Sequence, residues 1–99
     1  MGARLIATRP VDGGTGPPDT AVVAILELEE GWSEDGVRLR LDGEDVTARC
    51  AIRTDRAWPP RRAEIVLTGV GPGTHSAELE WPGGDGPHLW RFVVAEAQP

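Results

Sequence analysis

Short runs in which apolar and polar residues alternate with a period of two recur along this 99-residue chain. The clearest is Val37–Leu41, where Val37, Leu39 and Leu41 alternate with Arg38 and Arg40. A period of two places alternate side chains on opposite faces of a strand, so one face is apolar and the other solvated. Asp42-Gly43 follows, and Asp-Gly between alternating runs predicts a hairpin, because a type I′ turn needs positive φ at both central residues. Val46–Ile52 then reads as the second arm, with a weaker alternation. Ala63, Ile65 and Leu67 share a face in Ala63–Thr68, as do His75, Ala77, Leu79 and Trp81 in Thr74–Trp81. Trp90, Phe92 and Val94 do so in Leu89–Ala95.

Two further strands depart from strict alternation. Ala21–Glu29, AVVAILELE, begins as a continuous apolar run and ends alternating. Its branched residues would crowd in a helix, so it is predicted to be a central strand, with Glu27 and Glu29 toward water. Arg4–Thr8 is a short edge strand that Pro10 must end. Between them, VDGGTGPPDT (11–20) is punctuation, since Gly-Gly and Pro-Pro force turns. Gly31–Gly36 is a polar loop carrying Trp32, Thr54–Arg62 a loop stiffened by Pro59-Pro60, and Pro82–Pro87 a glycine-rich turn. About seven strands with turn signals every 8–12 residues predict an all-β fold, an antiparallel β-sandwich with no helix required.

Ninety-nine residues make one domain, spanning 1–99, large enough for a core without disulfides. Cys50 stands alone, so no intramolecular disulfide exists; within an apolar run it reads as a small buried hydrophobe rather than a reactive thiol. The chain has no Lys, Asn or Tyr, which excludes a Schiff-base or P-loop lysine and N-glycosylation. The net charge of −6 argues against nucleic acid as a partner. No stretch approaches the ~20 apolar residues of a membrane span, and Met1–Pro10 holds no apolar core of signal-peptide length. A cytoplasmic protein or a domain of a surface or secreted protein both fit. Charge is uneven: acids dominate Glu27–Asp45, whereas Arg53, Arg56, Arg61 and Arg62 oppose only Asp55. A solvated acidic face and a basic loop account for this; a dipolar module that docks on a partner or on its own copy is the sharper reading.

Candidate chemistry is sparse. The histidines, His75 and His88, fall at a structural position and at a strand start, and with one cysteine they form no recognisable zinc spacing or nucleophile–base pair. No catalytic, metal or cofactor residues are therefore assigned. Asp42, Glu44 and Asp45, with Asp35 nearby, suggest calcium, but the conformational demands of the turn select the same residues. Trp90 reads as core, alternating with Phe92, and Trp81 closes the inward face of its strand, half buried. Trp32 and Trp58 sit in polar loops, where a ring flanked by acids, or by Arg56 and Arg61, can stack on a sugar or anchor a protein. The alternative is that these rings fold back to lid the ends of the sandwich.

Four segments in order, PVDGGTGPP, VRLRLDGEDVT, VGPGTHSAELEW and HLWRFVV, resemble bacterial immunoglobulin-like (fibronectin III-like) domains across nearly the whole chain. The resemblance implies an immunoglobulin-like sandwich in which Val70 plugs one end and His75 donates a hydrogen bond to backbone at a corner. The chain departs from that pattern at Trp81-Pro82-Gly83-Gly84-Asp85-Gly86, and it lacks the cysteine pair and tyrosine corner of antibody-type domains. The function expected is a non-catalytic spacer or protein-interaction module, whose partners are an unidentified protein or neighbouring domains. A carbohydrate-binding module using the loop tryptophans is the alternative, and weak homo-oligomerisation is a further expectation.

Overall fold

A computed structural model describes residues 3–29, 32, 34–55, 61–84 and 86–97. The longest apolar run becomes β3 (Val22–Leu28), and its inward residues Val22, Ala24 and Leu26 are buried. It lies between β1 (Ala3–Arg9) and β7 (Arg62–Leu67), and β6 (Ala51–Asp55) completes a four-stranded sheet in the order β1-β3-β7-β6. β1 is an edge strand and stops before Pro10, as expected. A register shift between Leu5 and Ala7 bulges it at Ile6.

The second sheet runs β2 (Thr15–Gly16), β9 (His88–Val94), β8 (Gly73–Glu80), β4 (Arg38–Leu41) and β5 (Glu44–Asp45). All its pairings are antiparallel except β2 with β9, which is parallel. Alternation delivers Leu39, Ala77, Leu79, Trp90, Phe92 and Val94 to the space between the sheets, against Leu26, Ile65 and Leu67 from the first sheet. One continuous core results, and no charged or polar residue is buried in it among the described residues. Among the described residues seven strands have four or more residues, in keeping with the about seven predicted, although one of them is Ala51–Asp55 and not Val46–Ile52.

Two predictions need correction. Val46–Ile52 is not one hairpin arm. β5 ends after two residues, Val46 turns into the core, a single 3₁₀ turn (Thr47–Arg49) follows, and the chain re-emerges in the other sheet as β6. Core burial of Val46 removes it from the ladder, which is why the apolar alternation there is weak. The stretch 11–20 also holds a strand, β2, too short to show any periodicity. A second 3₁₀ turn, Glu34–Gly36, closes the loop before β4. Gly36 is required there, because a Cβ would run into the Pro82 ring.

The molecule measures 47 × 27 × 23 Å. β1 enters at the end where the Trp81 indole N–H donates to the Ala3 carbonyl (3.0 Å). β9 finishes at Val94, paired with Gly73 and Gly16, at the far end of β8.

Candidate functional site

The most elaborate cluster of polar side chains surrounds the hairpin tip. Asp42 (φ 53°) and Gly43 (φ 85°) are both left-handed, as a type I′ turn requires. This turn brings Asp42 beside β8, 33 residues away, where one carboxylate oxygen accepts from the Ser76 backbone N–H (2.8 Å) and the other meets His75 Nδ1 (2.7 Å). His75 Nε2 faces the Gly71 carbonyl at 2.7 Å, and its ring packs 5.7 Å from that of Phe92. The His75 side chain is 14 % exposed. Both ring nitrogens face acceptors, so the imidazolium, with two N–H donors, is the form that satisfies the site. Burial opposes that charge, but hydrogen bonds to Asp42 and Gly71 and the Asp42 charge outweigh it and raise the His75 pKa. Burial likewise pushes the Asp42 carboxyl up, and the hydrogen bonds from His75 and Ser76, with the His75 charge, bring it below its ordinary value. Val70 is buried beneath this corner region, so both features implied by the family resemblance are present.

Asp45 is held in the same manner. It accepts from the Thr47 N–H (2.9 Å), and the Thr47 hydroxyl accepts from the Leu39 N–H (2.9 Å) while Val46 N–H donates to the Leu39 carbonyl (2.9 Å). Asp42, Asp45 and Thr47 therefore spend polar atoms on closing one turn. Among the described residues, no three His, Cys, Asp or Glu side chains are grouped to hold a metal ion. Cys50 is half-buried against the core, its thiol donates to the Val46 carbonyl (3.4 Å), and burial pushes its pKa up. A thiol held protonated is a poor nucleophile.

At the opposite end, Trp81 is 6 % exposed, more deeply buried than its strand-end position suggests. His88, expected at the surface, stacks flat on it, with ring centroids 4.9 Å apart and planes within 4°. The pairing was invisible in the sequence because it depends on the register of β8 against β9. A hollow of about 240 Å³ beside the pair is lined by Arg4, Glu29, Gly83 and Gly84.

Of the four residues proposed for a binding surface, Trp32 and Arg61 are among the described residues. Trp32 packs partly buried against the core, and its indole N–H, also buried, has no acceptor among the described residues. Arg61 is exposed. Trp58 and Arg56, with the Pro59-Pro60 segment, lie outside the described residues. Arg53 and Arg62, read as parts of a basic cluster, are strand residues on the outer face of β6 and β7, on either side of Glu64. Arg40 does not simply face water: it reaches across to Glu78 (3.8 Å) and Glu80 (3.5 Å) of β8. No helix among the described residues is long and apolar enough to cross a membrane.

No family model matches the chain, and no curated protein does. Solved structures do. CopC from Methylosinus trichosporium OB3b superposes with a TM-score of 0.64 at 13 % identity, over 98 % of this chain and 97 % of that one. A chain of the titin M10–obscurin-like 1 complex gives 0.47 at 12 % identity over 94 % of each chain. Domains 4 and 5 of the S-layer protein SbsC give 0.43 at 10 % identity, over 94 % of this chain and 46 % of that one. Identities this low speak to the fold alone. The two packed sheets, the Asp-Gly hairpin and the histidine corner, with the CopC superposition, make the fold of this chain an immunoglobulin-like β-sandwich.

Proposed function

We propose that the domain is a non-catalytic module that spaces neighbouring units and offers its surfaces for protein contact. The observation that carries this reading is the path of the chain. β1 enters at the Trp81 end, and β9 leaves at the Gly73 end, across the full length of an eight-residue strand. Units joined through such points align along their long axes, which is the geometry of a spacer. The side chains with chemical potential support the same reading, because His75, Asp42, Asp45, Thr47 and Cys50 are each committed to hydrogen bonds that hold the backbone.

Small-angle scattering from two copies joined head to tail by a two-residue linker, at micromolar concentration, tests the spacer geometry. The maximum dimension is expected to be about twice that of the single domain. A tandem no longer than one domain would overturn the reading. So would hydrolytic turnover of any substrate that disappears in His75→Ala or His88→Ala while the fold is retained.

A further inference from the structure

The outer face of the first sheet is not dressed for water. In β3 the residues alternating with buried Val22, Ala24 and Leu26 are Val23, Ile25 and Glu27. Ladder pairing extends them into three rows across the sheet. The first is Arg9, Val23, Val66 and Ala51; the second is Ala7, Ile25, Glu64 and Arg53; the third holds Arg4, Glu27 and Arg62. Val23, Ile25 and Val66 form an apolar centre that is only partly covered, Ala7 and Ala51 are exposed, and the bulged Ile6 is 38 % exposed beside them. A strand that is apolar on both faces is what a strand buried on both faces looks like. Within the domain β3 makes its main contacts with its sheet neighbours and the core beneath, which leaves its second face only partly covered.

The pattern of this face is complementary to itself along its two outer rows. Turn a second copy over about an axis parallel to the strands and lying between the two faces. β3 then sits over β7 of the second copy, and each row sits over the same row. Val23 meets Val66 in both directions and Glu27 meets Arg62 in both directions, while in the middle row Ile25 meets Glu64, whose ladder partner Arg53 stands beside it. Arginines remain at the rim, at the flanks of the first two rows. An axis across the strands would instead set Val23 on Glu27, Arg9 on Arg4, Glu64 on Glu64 and Arg53 on Arg53. The first arrangement joins apolar to apolar in one outer row and acid to base in the other, and it avoids the like-charge contacts of the second, as an isologous interface requires.

We propose that this face is the site at which two copies of the chain pair face to face about a twofold axis. The inference stands apart from the spacer reading, since it concerns the flank of the domain and not its ends. Four strands at about 4.8 Å and three rows at about 6.8 Å give a contact of roughly 20 Å by 20 Å, about 400 Å² on each copy, which is below the standard size and of the extent of a transient contact. The dimer is accordingly weak and formed at high local concentration, its apolar contacts flanked by charged ones.

Sedimentation equilibrium from about 10 μM to about 1 mM, the range a small interface demands, tests the pairing. The mass is expected to rise from 10.6 kDa toward twice that value. Ile25→Glu and Glu27→Arg should each weaken association about tenfold or more, by burying a charge or opposing like charges. Glu27→Arg combined with Arg62→Glu should restore it, because the swap re-forms both cross-pairs. Leu89→Glu, on the other sheet, should leave it unchanged. Thermal unfolding of each variant separates loss of pairing from loss of fold. A wild-type mass fixed at the monomer value throughout overturns the proposal. A folded charge-swap variant that stays dissociated, or equal loss in Leu89→Glu, overturns it as well.

Discussion

The two sheets have equivalent inner faces and opposite outer ones. Between the sheets, every strand of four or more residues delivers apolar side chains to one core. Outward, β4 and β8 present Arg38, Arg40, Ser76, Glu78 and Glu80, and Arg40 joins the two strands through both glutamates. The outer face of β3 and β7 carries a partly covered apolar patch of Val23, Ile25 and Val66 beside Glu64. An antiparallel sheet with one solvated side should alternate cleanly, and β8 does so from Ala77 to Glu80. β3 does not in its first half. On the proposed pairing, the difference separates a face turned to solvent from one turned to a second copy.

The largest effect separates inner from outer face on the same strand. Leu26→Ala, at a fully buried position, should cost about 2–5 kcal/mol in urea unfolding, whereas Ile25→Ala should cost well under half of that. Equal costs would mean that the outer face is already covered. In the charged sheet, Gly43→Val forces a branched side chain into the left-handed region at φ 85° and should cost about 1–2 kcal/mol. A neutral result would remove the turn from its place as organiser of β4 and β5. Smallest is Arg40→Ala: its ion pairs are solvent-exposed, so double-mutant cycles with Glu78 or Glu80 should give at most about 1 kcal/mol, diminishing with salt.

A pH series sharpens the contrast at the corner. The folded His75 pKa lies above its unfolded value of 6.5, so its stabilisation is complete below pH 6.5 and is lost as pH rises through the raised value. The folded Asp42 pKa lies below 3.8, so its share is present above pH 3.8 and is lost on acidification through the lowered value. The difference in Tm between the wild type and His75→Ala should therefore be greatest from about pH 4 to 6.5 and shrink toward pH 9. A difference that grows with pH would contradict the imidazolium bridge. Outer-face variants such as Ala51→Ser should show no such dependence.

Much of this arrangement was legible because its causes are local. Asp42-Gly43 announces its turn, and Leu39, Ala77, Leu79, Trp90 and Phe92 announce their inward face by period alone. The failures share one cause, dependence on residues distant in the chain. Val46 leaves the ladder because the core takes its side chain, and β2 exists only because β9 is there to pair with. The stack of His88 on Trp81 and the ion pairs of Arg40 depend on registers that no local pattern encodes. Trp32 packs partly buried against the core, in line with the reading in which the loop rings fold back on the sandwich. The apolar outer face was present in the sequence as the unbroken start of AVVAILELE, and central-strand placement alone explained it until the sheet order exposed its far side.

Amide chemical shifts followed by NMR across increasing protein concentration test the difference between the two faces most directly. The account predicts changes confined to Val23, Ile25, Glu27, Glu64 and Val66, with Ser76, Glu78 and Glu80 unmoved. Shifts that concentrate on β8 and β9, or a spectrum independent of concentration, would contradict it.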